Sequence, residues 1–170
     1  MPVRVGLFAG LIVVSIMAKT IVLPAVAIST FRPDVLVIVV VAVALMEGPD
    51  SGIRLGFAAG LVQDLVSGGA ALVGVGALVM MGVGYAAGRS RPYLVAAQQT
   101  GAIALSGVLA ATATLVSGLL GRALGVISPS LGRILLATII VGLYSAAISP
   151  LVLRPTQRLL KQFPPPSLAG

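Results

Sequence analysis

The chain has 170 residues, 58% hydrophobic and 9% charged, with a mean hydropathy of +1.15; soluble domains carry about a quarter charged residues, so this is an integral membrane protein. It contains no Cys and no His, which removes disulfides, thiolate chemistry, an imidazole proton shuttle and the usual transition-metal ligands, and no catalytic residue, cofactor or metal site is expected. The net charge of +7 comes from basic residues set singly at the ends of apolar runs, a pattern of membrane topology signals and not of a nucleic-acid surface.

Six apolar segments run along the chain, at residues 5–28, 34–46, 52–66, 71–88, 94–120 and 131–153. The expected fold is all-α, with six transmembrane helices in one bundle over residues 1–156 and a cytoplasmic Pro-rich tail over 157–170. A span needs about 20 residues at 1.5 Å each, which the first, fifth and sixth segments supply and the fourth approaches. The first segment imitates a secretory signal, with Arg4, an apolar run and an Ala25-Val26-Ala27 site. Lys19 interrupts that pattern and five more apolar segments follow, so the segment is read as a retained helix.

The second segment is dense in Val, Ile and Leu, as a buried strand would be, but lipid admits only helices and closed barrels. It is read as a helix starting near Pro33, with Asp34 in its first turn. Because the second and third segments are short, a re-entrant hairpin is the alternative, although it would bury Glu47, Asp50 and Arg54 at a cost of several kcal/mol. Lys and Arg fall unevenly between the two sides. With the amino terminus inside, Arg4, Arg54, Arg89, Arg91, Arg154, Arg158 and Lys161 are cytoplasmic, against Lys19, Arg32, Arg122 and Arg133 outside or in the outer half. That balance favours both termini in the cytoplasm.

In the third segment, Gly52, Gly56, Gly60, Asp64 and Gly68 recur at every fourth position. One narrow face of that helix is therefore nearly all glycine and ends in a carboxylate. Such a face lets two backbones come close, which replaces the hydrophobic drive that lipid cannot supply. The fifth segment repeats the device with Ala102, Ser106, Ala110, Thr114 and Gly118. Both ridges are expected to pack against other helices of the chain, or else to form a homodimer or partner interface. Asp64 needs a counter-charge inside the membrane. It lies about 20 Å along its helix from Ser51, and Lys19 lies about 22 Å from Arg4 along the first, so the two depths match and a Lys19–Asp64 pair is expected.

The ordered set around these residues resembles one family. Arg32-Pro33-Asp34 opens the second helix, the charged Glu47-Gly48-Pro49-Asp50 turn follows, and GFAAGLVQDL, a GxxxGLxxDL helix, leads into the small-residue loop SGGAALVG. This order looks like the core of the MreD family of rod-shape-determining membrane proteins, and it covers about a third of the chain. The resemblance implies a bundle similar to the substrate-binding subunits of energy-coupling-factor transporters. It also implies a non-enzymatic role in the bacterial cell-wall elongation machinery, beside an MreC-like partner, MreB, RodA and a class B penicillin-binding protein. In that reading Arg32 and Asp34 meet the external part of the partner, and the chain sits in the cytoplasmic membrane. The competitor is a vitamin-type transporter subunit, whose pocket would have few polar and aromatic groups to work with: aromatic residues are 4% of the chain and Trp is absent.

Overall fold

The structure, a computed structural model, describes residues 2–17, 34–66, 74–94, 98–125 and 130–162. Among these residues there are six helices and no strand: α1 (Pro2–Met17), α2 (Val35–Glu47), α3 (Pro49–Val66), α4 (Val75–Leu94), α5 (Gln98–Ala123) and α6 (Leu131–Gln162). The all-α expectation therefore holds for the described residues. The last helix continues to Gln162, past the boundary expected at 156, and the Pro-rich residues 163–170 lie outside the described set.

The bundle is organised around α2. Every residue from Val35 to Ala44 is buried, and α2 touches all five other helices. A helix apolar on all sides is stable only when neighbours cover every face, which is why this run of Val and Ile has no polar stripe. The main core joins Leu36, Val37, Val40 and Val43 of α2 to Leu55 and Ala59 of α3, Met80 and Val83 of α4, and Leu109 and Ala113 of α5. A second cluster joins Ile38 and Ala42 to Ala102 of α5 and Leu153 of α6.

The ends of α2 follow from its flanking residues. Asp34 occupies the N-cap position, and its backbone N–H donates to Ser145 Oγ of α6 at 3.2 Å. At the other end Gly48 adopts φ +98° with ψ −178°, a region only glycine enters readily. Its N–H closes α2 on the Ala44 carbonyl at 2.9 Å, and its carbonyl accepts the Gly52 N–H of α3 at 3.1 Å. Pro49 then opens α3 with its φ preset and Asp50 in the first turn.

Among the described residues, two helices are long and apolar enough to cross a bilayer by themselves, α5 over residues 99–123 and α6 over 131–160. The expectation of six spanning helices is supported to that extent. α2 has 13 residues, about 20 Å, and α3 and α4 are diluted by glycine and by Asp50, Arg54, Asp64, Arg89 and Arg91; of the first apolar segment, only α1 lies among the described residues. The outer surface is nonetheless that of a membrane protein. On α6, Leu135, Ile139, Leu143 and Leu151 stand exposed at four- and eight-residue spacing, with Leu143 70% exposed, a face that water would not tolerate. Helix α6 also carries Pro150, which leaves the Ala146 carbonyl without its usual donor. Ser149 Oγ donates to that carbonyl at 2.8 Å.

Packing in the interior and contact with lipid are separable by substitution. Leu36 is 1% exposed, so Leu36→Ala is expected to destabilise the bundle by about 2–5 kcal/mol through the void it leaves. Leu143→Ala should change stability by less than about 0.5 kcal/mol, as surface changes do. Thermal unfolding of the two variants in one detergent checks the difference.

Candidate functional site: the α3–α4 seam and its carboxylate

The glycine ridge of α3 faces α4, and the two helices run antiparallel along it. A methyl group built on Gly52 would lie 2.5 Å from the Gly84 carbonyl oxygen and 2.7 Å from Cβ of Ala44. One built on Gly56 would collide with the Met80 carbonyl, and one on Gly60 would lie 2.6 Å from Cα of Ala77. The partner helix is equally bare. A methyl on Gly84 would collide with the backbone of Gly52, and one on Gly88 with that of Pro49. Backbone thus meets backbone over most of α3, and the ridge is intramolecular packing. Gly68, the last position of the expected ridge, lies outside the described residues.

Asp64 ends this seam. Its Oδ2 accepts the Gly74 N–H at 2.8 Å and the Ala77 N–H at 3.3 Å. Gly74 is the residue just before α4, with φ +97°, and its carbonyl takes the Leu78 N–H at 3.0 Å. It therefore stands at the N-cap, where Ser, Thr or Asp normally supplies an oxygen to the third residue of the helix. Glycine has no such oxygen. The carboxylate that does the job comes from α3, ten residues earlier, and it also takes the N–H of the capping residue itself. Two of the orphan donors at the start of α4 are satisfied at once, and a negative charge sits at the positive end of the helix dipole. Gly76 is part of the arrangement, because a methyl there would collide with Asp64 Oδ1.

The expected partner of Asp64, Lys19, lies outside the described residues, as does Arg32. The backbone cap is thus the interaction that the structure assigns to Asp64. Sequence reasoning sought a side chain of opposite charge and missed two N–H groups, which carry no residue identity. The one legible signal was the Gly74 turn itself, a helix start with no capping side chain of its own.

The second small-residue ridge is buried, but it does not make the closest helix contact of its region. Ala102, Ser106 and Ala110 are buried, with Ala102 set against Ile38, Ala42 and Leu153. Ser106 and Thr114 turn their hydroxyls onto their own helix, to the Ala102 and Ala110 carbonyls at 2.8 and 2.9 Å, which leaves that face smooth. The close approach of α5 to α6 is made by Gly107 and Ala111 against Gly142 and Ala146. A methyl on Gly107 would lie 2.8 Å from Cβ of Ala146, and one on Gly142 2.9 Å from Cβ of Ala111. Gly118, from the expected ridge, packs on α6 as well: a methyl there would lie 3.0 Å from Cγ2 of Ile134, closer than ordinary contact. Gly107-x3-Ala111 and Gly142-x3-Ala146 are both small-x3-small pairs visible in the sequence, the first one step around α5 from the ridge singled out there.

Glycine at the seam and glycine facing open space should behave oppositely. Gly56→Ala is expected to destabilise by at least the roughly 1–3 kcal/mol of an overpacked core, since backbone atoms cannot move aside. Gly82, on α4 but with nothing within 4 Å of an added methyl, should accept alanine with a gain of up to about 1 kcal/mol from helix propensity. For the cap, Asp64→Ala should cost about 0.5–2 kcal/mol, and Asp64→Asn, which keeps one acceptor oxygen, less. Combining Lys19→Asp with Asp64→Lys separates the two roles of the carboxylate. Recovery of the folded fraction by the swap would show that a Lys19 pair dominates, whereas a cap leaves the double variant as unstable as Asp64→Lys alone. Thermal melts in detergent read all of these.

Comparison with known proteins adds the family. A family model described as rod shape-determining protein MreD matches residues 3–128, well over half of the chain, a span holding α1 to α5 with the glycine seam and Asp64. No curated protein and no solved structure matches, so the expected likeness to the substrate-binding subunits of energy-coupling-factor transporters is without support. The family is one of membrane proteins of the cell-shape system, in keeping with the two membrane-length helices. The chain belongs to the MreD family of rod shape-determining proteins.

Proposed function

We propose that the chain is a non-enzymatic scaffold of the cell-wall elongation complex, which docks an MreC-like partner and so links external peptidoglycan synthesis to cytoplasmic MreB filaments. The observation that carries this reading is the family match over residues 3–128. RodA and a class B penicillin-binding protein are the further members of the complex in this proposal. The chain is taken to cross the cytoplasmic membrane several times with both termini inside, in line with the Lys and Arg bias.

The packing narrows where a partner can bind. The glycines of α3 are occupied by α4, and Gly107 and Gly142 by each other's helices, so those faces serve the bundle. Docking then falls to surfaces the bundle leaves open, among them the exposed Leu135, Ile139 and Leu143 face of α6. Arg32 and Asp34 are proposed as contacts with the partner's external part. Asp34 is only partly buried at the start of α2, and the Ser145 bond fixes its backbone.

Affinity capture of the tagged chain from native membranes in mild detergent, followed by mass spectrometry of proteins and small molecules, tests the reading. An MreC-like protein is expected to co-purify, and Arg32→Glu should lower its recovery while leaving the melting temperature of the chain unchanged. Capture of an ATPase module together with a vitamin, or of the chain with no elongation protein, would overturn it.

A further inference from the structure

Helix α1 leans on α2 and stands apart from α6, and an apolar groove of about 560 Å³ opens between them. Gly6, Gly10 and Val14 form its α1 wall, Val35 and Val39 of α2 its floor, and α6 contributes the wall from Leu151 to Leu159. Gly6 and Gly10 have nothing within 4 Å of an added methyl, so this wall is open, unlike the α3–α4 and α5–α6 glycine seams. The two hydroxyls of the lining do not make it polar. Ser15 donates to the Leu11 carbonyl at 2.6 Å and Thr156 to the Val152 carbonyl at 2.8 Å, each within its own helix.

Length and charge point to one occupant. The lined stretch of α6, Leu151 to Leu159, is about 12 Å long. That is about one leaflet of the ~30 Å hydrocarbon core. A partner helix crossing the bilayer would want a seam twice as long, whereas the acyl chains of one lipid need only this much. The rim is cationic. Arg158 lies about 60° around α6 from the groove residue Pro155, and Arg154 about 100°, both on the Leu151 side. Both are exposed, on a chain whose 11 Lys and Arg face only 4 Asp and Glu. Arg158 lies about one turn from the end of this 32-residue helix, about 48 Å long, and Arg154 one turn deeper, from where a long side chain reaches toward the headgroups.

We propose that this groove binds an anionic diacyl phospholipid, with its acyl chains against Gly6, Gly10, Val35 and Val39 and its phosphate held by Arg154 and Arg158. The inference depends on the chain residing in a membrane and not on which protein partner it docks. Juxtamembrane arginines favour anionic over zwitterionic headgroups, each by about fivefold in affinity.

Native mass spectrometry of the full chain in mild detergent tests this, with dioleoyl phosphatidylglycerol and dioleoyl phosphatidylcholine added separately. The expected result is one tightly held phosphatidylglycerol per chain. The paired change Arg154→Gln with Arg158→Gln should cut its affinity by more than tenfold while leaving phosphatidylcholine binding and the melting temperature unchanged. Arg89→Gln with Arg91→Gln should leave both lipids as they were, and Gly10→Leu, which fills the groove, should weaken both. The proposal is overturned if the two lipids bind alike, or if the Arg89 and Arg91 pair matters as much as the Arg154 and Arg158 pair. It is equally overturned if the groove variant Gly10→Leu displaces a second copy of the chain or a co-purifying polypeptide and not a lipid. Should Gly10→Leu fail to fold, the arginine pairs decide between these outcomes.

Discussion

Backbone contact between α3 and α4 is the constraint on which the rest of the bundle depends. Lipid gives apolar side chains no reason to leave it for one another, so helices hold together by van der Waals contact and by polar groups that have nowhere else to go. The seam uses both means. Gly52, Gly56 and Gly60 let the chain of α4 come to within a methyl's reach along most of α3, and Asp64 locks the end by supplying an oxygen that α4 lacks. With this hairpin fixed, Leu55 and Ala59 of α3 and Met80 and Val83 of α4 present one wall to α2. The α5–α6 pair, closed by Gly107 and Gly142, presents the other.

Asp64 shows how a charge can belong to a membrane helix without serving as a reactive acid. A carboxylate taken out of water must recover hydrogen bonds, and backbone donors at a helix start are the natural source because nothing within the helix satisfies them. The low dielectric that makes the charge costly also strengthens these bonds. The glycines on either side of the cap follow from the same geometry. Gly74 turns the chain at positive φ, and Gly76 leaves room for the carboxylate. The motif GxxxGLxxDL is thus one half of a joint whose other half is the glycine-bearing start of α4.

What could be read from the sequence was the part set by local rules. The start of α2 after Pro33-Asp34, the Gly-Pro turn before α3 and the small-residue spacing of α3 each follow from the residues on the spot. What could not be read was the pairing. A four-residue repeat says that a face is narrow, not which helix comes to it, and α5 carries two such faces about 100° apart, one shared by α2 and α6 and the other closed by α6. The partner of Asp64 was illegible for a sharper reason, since every residue offers the same N–H and only the fold decides which ones are left over.

The near-complete enclosure of α2 has a bearing on bilayer thickness. A free helix of 13 residues would have to draw the two surfaces of a membrane toward itself, because its apolar length falls well short of the hydrocarbon layer. Ringed by five others, it meets protein along most of its sides and lipid only where the α1–α6 groove opens onto Val35 and Val39, so its length need not match the bilayer. The lipid's chain length is felt chiefly by the membrane-length helices α5 and α6. The same bundle can therefore keep one core arrangement in membranes of different composition while its outer pair adjusts by tilting.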